Sequence, residues 1–443
     1  MTNVFHRHCH VELPTIAYGE GVYLYDTQGK QYLDGCGGAA VSNLGHNHQA
    51  VKQAIIDQLD KIPYAHSAFF TNEASENLAT TICQLAPNPL NYVYLVSGGS
   101  EAVESALKMA RQYFVEQGKS SKNQFIARRQ SYHGNTLGAL SVGGNEWRRE
   151  PFKPLLSNVH HISPCNAYRD QQANESEHEY SLRVANELEY KILEIGADNI
   201  MAFVAEPVVG ATSGAVPATQ GYFTRIREIC DQYDVLLILD EVMCGIGRTG
   251  TFFAFEQDHI VPDLVTIAKG LGAGYQPIGA VVASDKIYNT IANGSGFFQH
   301  GHTFMGHPMA CASALATINT IVDQQLLTNV VQLGKQLKEK LQQALLPLPY
   351  IGDIRGRGLF LAIELVSDKT SKSPLASSTL AHKTIKKLAM NNGVMCYPMS
   401  GTIDGKTGHH ILLAPPFIIT EQQLDELVSK LKSSLQQASL TWK

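Results

Sequence analysis

No stretch of this 443-residue chain stays apolar for the ~18 residues a membrane-spanning helix needs, so membrane insertion is not expected. The opening run MTNVFHRHCHVELP has no basic segment leading into an apolar one, so export is not expected and a cytoplasmic location is. There is no excess of positive charge either. With 35 Lys and Arg against 40 Asp and Glu, interspersed and summing to a net charge of -5, the chain offers no extended cationic face to nucleic acid or to an anionic membrane. Small molecules are the expected partners. The eight cysteines (Cys9, Cys36, Cys83, Cys165, Cys230, Cys244, Cys311, Cys396) form no C-x-x-C pair, which fits reduced thiols. His6, His8, Cys9 and His10 cluster near the start, but nothing downstream supplies a second half at zinc-finger spacing, so no metal is expected. Finally, the turn Ser97-Gly98-Gly99-Ser100 that follows the strand-like run 91–96 is neither G-x-G-x-x-G nor G-x-x-x-x-G-K-[ST]. That disfavours a dinucleotide or a triphosphate, and with the former a nicotinamide oxidoreductase.

What is present is an ordinary globular composition, 44% hydrophobic and 17% charged, long enough for a large domain and a smaller one sharing a core. Residues 21–34 alternate apolar and polar about a turn at Gly29, the pattern of a hairpin. The glycine-rich stretch from Gly35 to Gly45 follows, and its small residues allow close approach of a ligand or simply a tight turn. A helix is expected from about His48 to Lys61. Asn91–Val96 reads as a strand, Ser97-Gly98-Gly99-Ser100 as a turn, and Ala102, Val103, Ala106, Leu107, Ala110 and Phe114 as the apolar stripe of a helix. Strand, glycine-rich turn and helix N-terminus make an anion site, because the free N–H groups and the helix dipole point into the loop. A structural turn between strand and helix would look similar. Gln124–Ala127 reads as a further strand running into Tyr132 and His133, where an aromatic could lie on a planar ligand or belong to the core. The polar interval 166–179 is expected to be a surface loop ahead of a helix at Tyr180–Ile195.

Three strands carry charge at their ends. Ile200–Ala205 runs into Glu206, Val235–Leu239 into Asp240, and the apolar segment from Asp263 to Ala268 into Lys269 and a run of glycines. A helical pattern, Gly221–Tyr233, links the first two as a β-α-β crossover. Strands apolar on both faces suit a parallel sheet covered by helices, whose chemistry sits at the strands' carboxyl ends. Ionised groups seldom close apolar runs unless they find partners. Asp240 and Lys269 are therefore expected to face one cleft together with the Ser97–Ser100 loop. A lysine there is nucleophilic only if its amine is held neutral below its usual pKa of ~10.4, or is already joined to a carbonyl group.

Anion loop, aromatic face, carboxylate and amine are the groups needed to hold pyridoxal 5'-phosphate. The chain resembles the class III aminotransferases, pyridoxal-phosphate enzymes of fold type I, closest in motif to the ω-amine transaminase branch. The matching segments are residues 21–26, 33–35 and 97–102, Tyr132-His133-Gly134, Ala205-Glu206-Pro207, residues 239–242 with 245–250, Ala268-Lys269-Gly270 and residues 301–308. The resemblance implies an α/β fold: a large domain with a mostly parallel seven-stranded sheet flanked by helices, and a small α+β domain built from both chain ends. On this chain those would be 61–325 for the large domain and 1–60 with 326–443 for the small one. It also implies roles. Lys269 would bond the coenzyme aldehyde and shuttle protons, and Asp240 would pair with the pyridine nitrogen. Gly98, Gly99 and Ser100 would bind phosphate, Tyr132 and Val242 would cover the two ring faces, and His133 and Glu206 would line the coenzyme. Thr303 would reach the phosphate of a neighbouring subunit, which makes a homodimer with shared sites the minimum unit and leaves room for a tetramer.

The sequence also departs from its relatives. Where the ornithine and γ-aminobutyrate branches pair a glutamate with an arginine to handle substrate carboxylates, this chain has Ala211 and Leu412. Where the ω-amine:pyruvate branch carries a mobile arginine, the nearest cation here is Lys406, and Ala39 and Ala40 suggest a roomy pocket. The expected reaction moves an amino group from a primary amine, such as an ω-amino acid, diamine or amino-alcohol, to a 2-oxo acid. A decarboxylating transaminase or aminomutase would use the same lysine and aspartate, and a non-catalytic phosphate-ligand binder would keep the fold without needing Lys269. Arg248 and Arg355 are expected to be structural, and His133 and His302 to hydrogen-bond locally.

Overall fold

The computed structural model describes residues 3–442. Met1, Thr2 and Lys443, at the edges of the expected small domain, lie outside the described residues. Its centre is a seven-stranded sheet in the order Leu90–Val96, Gly279–Ser284, Leu264–Ile267, Leu236–Asp240, Ile200–Ala205, Gln124–Arg128, Val159–Ile162. All neighbours pair in parallel except Gly279–Ser284, which runs antiparallel to both strands beside it. Alternation along each central strand divides the core in two. Phe203, Ala205, Leu237, Leu239, Val265 and Ile267 pack into one apolar cluster, whereas Met201, Val204, Leu236, Ile238 and Leu264 pack into the other. Both faces are covered, as a sheet of continuous apolar strands requires. Each such fully buried branched side chain contributes about 1.5–3 kcal/mol relative to exposure.

The Gly99–Glu116 helix lays Ala102, Val103, Ala106, Leu107, Ala110 and Phe114 on the second cluster. Helices Glu177–Ile195 and Tyr222–Gln232 cover the first. The former starts earlier than its apolar pattern suggests, because Ser176 and Glu179 form a capping box that satisfies the first-turn N–H groups. The interval ahead of it is not wholly a loop. A short helix, Ala167–Asp170, anchors it by Arg169 to the fully buried Glu364. The hairpin about Gly29 is present, with Tyr25 opposite Gln31 and Gly29 in the left-handed region at φ 79°.

The two chain ends meet in space. Strands Ile16–Glu20, Tyr23–Asp26 and Gln31–Asp34 are extended by Val394–Met395, and a second antiparallel sheet joins Ile351–Arg357, Phe360–Asp368, His409–Leu413 and Tyr397–Ser400. Arg248 and Arg355 serve structure. Arg248 binds the Pro415 carbonyl at 2.5 Å and the Asn43 side chain at 2.7 Å, and Arg355 binds the Ser213 and Gly214 carbonyls and Glu364.

One buried group sets a pH limit on this fold. His409 is 2% exposed, stacked on His382 at 5.4 Å, with both ring nitrogens lacking a hydrogen-bond partner, and burial pushes its pKa down to about 4. Because the unfolded chain takes up a proton at pH 6.5 and the folded one does not until about pH 4, stability falls as pH drops through that window. At pH 4.5 the ring removes about 2–3 kcal/mol. His409→Phe is expected to shrink the fall in Tm between pH 7 and pH 4.5 by roughly 2–3 °C. An unchanged fall, read by calorimetry, would refute this.

Candidate active site

At the carboxyl edge of the sheet lies a cavity of about 490 Å³, lined by Gly98, Gly99, Ser100, Tyr132, His133, Glu206, Asp240, Val242 and Lys269 among others. Five different strand exits supply these residues, and the sheet order brings the exits side by side. The antiparallel strand contributes its beginning to the same edge, since Gly279 pairs with Val96.

The Gly99–Glu116 helix opens on the cavity with Gly98 as its N-cap and no side chain capping it. Its first-turn N–H groups are therefore available to an anion. Glu101 accepts the Ser97 N–H at 2.8 Å. Glycine at position 99 is a packing requirement, because a Cβ there would lie 2.8 Å from Val242 Cγ1. The Ser100 hydroxyl donates to the Asn135 side-chain oxygen at 3.0 Å and accepts the Asn135 N–H at 3.1 Å.

Asp240 is the last residue of its strand and 4% exposed. Its Oδ2 accepts from His133 Nδ1 at 2.8 Å, while Oδ1 accepts the Val242 N–H at 3.0 Å and the Thr266 hydroxyl at 3.2 Å. The register that sets Asp240 opposite Thr266 makes the last contact inevitable. Glu206 accepts the Gly210 N–H at 3.1 Å and the Tyr132 N–H at 3.4 Å. Burial raises its pKa, with the charge of His133 opposing and that of Asp240 assisting.

Lys269 stands just past the Leu264–Ile267 strand, on a single turn of 3-10 helix, half-buried and with φ 47°. A lysine held in the left-handed region costs of order 1 kcal/mol, and such strain gathers at sites where a side chain must be aimed. Burial lowers its pKa, while the carboxylates of Asp240 and Glu206 push it back up. Desolvation prevails, so the amine is more readily neutral than a lysine in water.

Thr303 is not part of this cavity within one chain. It is exposed on a loop, its carbonyl accepting the Tyr64 hydroxyl at 3.0 Å. Ala211 lines the cavity, whereas Leu412 is fully buried behind it in a cluster with Ala40, Val208 and Phe360. Of the glycine-rich segment it is Val41, and neither Ala39 nor Ala40, that faces the cavity. This corrects the expectation from the sequence, and its cause is the backbone: Gly38 and Ala39 break the helical turn and Ala40 takes a φ of 61°, which turns its methyl into the protein. Lys406 is exposed. His302 bonds to His300 at 3.1 Å. Among the described residues no three of His, Cys, Asp and Glu are placed to hold a metal ion, and no helix is long and apolar enough to cross a membrane.

An uncapped helix end for a phosphate, a hydrogen-bonded aspartate for a protonated ring nitrogen, flanking Tyr132 and Val242, and a desolvated lysine form a donor set suited to pyridoxal 5'-phosphate. Comparison with known proteins agrees. Residues 5–435 match the sequence model of the aminotransferase class-III family. An uncharacterized aminotransferase of Schizosaccharomyces pombe is 43% identical, the match covering 95% of this chain and 92% of that one. Among solved structures, an (S)-enantioselective omega-transaminase from Thermomicrobium roseum superposes with a TM-score of 0.91 at 33% identity, over 98% of this chain and 96% of that one. An amine transaminase from an uncultivated Pseudomonas species, in its PLP-bound form, superposes with a TM-score of 0.93 at 34% identity over 99% of both chains. The chain belongs to the class III aminotransferases and is a pyridoxal-phosphate enzyme of fold type I.

Proposed function

We propose that this enzyme is an amine transaminase that takes an amino group from a primary amine remote from any α-carboxylate, such as an ω-amino acid, a diamine or an amino-alcohol. The group passes to a 2-oxo acid by a ping-pong Schiff-base route. When bound, pyridoxal 5'-phosphate supplies an aldehyde that condenses with amines and a ring that withdraws electrons from the bond being broken. The chain does the rest. Lys269 would hold the coenzyme covalently between turnovers and move the substrate proton, a task suited to an amine whose pKa burial lowers. Asp240 would pair with the ring nitrogen and keep it protonated, and His133 holds Asp240 through their 2.8 Å hydrogen bond. The N–H groups at Gly99 and Ser100 would bind phosphate, Tyr132 and Val242 would cover the ring, and Gly98 and Glu206 complete the lining of the cavity.

One observation carries the donor class. The places at which relatives pair a glutamate with an arginine hold a cavity-lining alanine, Ala211, and a buried leucine, Leu412, so no paired charges stand ready for an α-carboxylate on the donor. The ω-transaminase named among the similar structures supports the same class. The exposed Thr303 is read as reaching a second subunit's phosphate, which makes the working unit a homodimer with shared sites. Residues 61–325 are read as the large domain and 1–60 with 326–443 as the small one, supported by the pairing of Leu33 with Val394. Eight free thiols support a cytoplasmic setting.

A matrix of amines against 2-oxo acids tests the proposal. Diamines, ω-amino acids and amino-alcohols are expected to turn over faster than α-amino acids and ornithine. Turnover confined to the latter group would overturn it.

A further inference from the structure

Behind the Tyr132 wall of the cavity lies a buried polar network that the chemistry itself does not use. Its centre is Gln130, two residues before Tyr132, 4% exposed and held in the left-handed region at φ 59°. That conformation is strained for a glutamine, so the surroundings must impose it. They do so through every polar group the residue has. Its Nε2 donates to the Gly401 carbonyl at 2.7 Å and the Thr402 carbonyl at 3.0 Å, and its Oε1 accepts from Asn145 Nδ2 at 3.1 Å. Its main-chain N–H donates to the Gly144 carbonyl at 3.0 Å, and its own carbonyl accepts the Thr212 hydroxyl at 2.6 Å. Two carbonyls on one side and an amide N–H on the other leave the side chain a single orientation.

These bonds gather four segments that are far apart in sequence. Thr212 follows Ala211, which lines the cavity. Asn145 caps the short Glu146–Arg149 helix, its Oδ1 accepting the Arg148 N–H at 3.3 Å, and that helix lays the Arg148 guanidinium 4.6 Å from the centroid of the Tyr132 ring. The 401–408 turn closes on itself through the Gly405 N–H and Gly401 carbonyl at 2.9 Å. It then packs on the same helix, where a Cβ at Gly405 would lie 3.2 Å from the Trp147 nitrogen. The Gln130 amide therefore holds both the turn and the helix cap that stand behind Tyr132. A buried network in which each member is satisfied stiffens what it joins, and losing one member leaves the rest unpaired.

We propose that Gln130 is a positioning residue: it fixes the Tyr132 wall for the coenzyme ring by tying it to the 401–408 turn and to the cap of the Glu146–Arg149 helix. The proposal rests on the reading of Tyr132 as a cover of that ring, and its test separates the two. Holoenzyme is compared with Gln130→Met, which keeps the length of the side chain without its polar atoms, and with Asn145→Asp. The latter keeps a good helix cap but turns a carboxylate oxygen towards Gln130 Oε1. Hydrogen exchange in Gln130→Met is expected to quicken by about tenfold at 145–149 and 401–408, the scale of a lost hydrogen bond, and to stay unchanged in the Leu236–Asp240 strand. The Kd of pyridoxal 5'-phosphate, read from its release on dilution, should rise by about tenfold in Gln130→Met and by at least about threefold in Asn145→Asp. The visible circular dichroism of the bound coenzyme should weaken in both. A role confined to capping would leave Asn145→Asp like the wild type, and a role in general stability would quicken exchange along the whole chain. Either result overturns the proposal, as does unchanged exchange at 401–408. If Gln130→Met fails to fold, Asn145→Asp decides alone. Tyr132→Leu tests the underlying reading. Should it leave the dichroism unaltered, Tyr132 does not cover the ring, whereas exchange at 401–408 still decides what Gln130 holds.

Discussion

Lys269→Ala is expected to lower kcat by at least about 10⁴-fold, since it removes in one step the covalent tether and the general base, and the base alone is worth roughly 10²–10⁴. The structure explains why no other group takes over. His133, the nearest imidazole on the cavity wall, is spent on Asp240 at 2.8 Å, and Glu206 is occupied by two backbone N–H groups. Lys269 also cannot be moved along the chain, because its aim depends on a φ of 47° at the start of a turn that the preceding strand locks in place. Single-turnover kinetics of the purified variant give the measurement. Small exogenous amines should restore part of the proton-transfer rate, rising with amine basicity, as a Brønsted relation demands. A variant that keeps within tenfold of wild-type kcat would remove Lys269 from the mechanism.

The readiness of the sequence to reveal this site has a physical basis. Strands that are apolar on both faces stand out in a sequence, and so does a charged residue that ends one. Glu206, Asp240 and Lys269 each close such a run, and the parallel arrangement forces their ends to one edge. The turn at Ser97–Ser100 is equally visible, because a helix without a capping side chain leaves glycine and serine where Asp, Asn or Thr often stand. What could not be read depends on tertiary packing. Val159–Ile162 is a strand of two apolar and two histidine residues that exists because Gln124–Arg128 pairs with it. Arg169 turns the expected loop into an anchored segment through Glu364, 195 positions away. Arg148 carries no signature at all. It and the adjacent Arg149 look alike in the sequence, and the packing shows that Arg149 is tied to carbonyls while Arg148 lies on a tyrosine face. Thr266 had a faint signal, a hydroxyl inside an apolar strand, which acquires meaning once the register sets it opposite Asp240.

That register frames the second large effect. Asp240→Asn should lower kcat/KM by roughly 10²–10³-fold with the fold intact, the scale of losing one preorganised electrostatic group. Asparagine keeps the shape of the carboxylate but not its charge, and a neutral partner cannot hold a ring nitrogen protonated. Nor can it satisfy its surroundings. The aspartate receives the Val242 N–H and the Thr266 hydroxyl on one oxygen and His133 on the other. An asparagine has one oxygen to offer. If its NH₂ group faces Val242, two donors confront each other. If instead it faces His133, the imidazole must shift its proton to Nε2, a buried atom with no partner in the structure. Either arrangement leaves a buried donor unpaired at a cost of about 1–3 kcal/mol. His133→Phe removes the same contact from the other side yet leaves the charge in place, so its effect should be smaller, about tenfold. The order of the two variants is therefore the decisive reading. If His133→Phe proves more damaging than Asp240→Asn, the carboxylate acts through the histidine and not on the ring nitrogen.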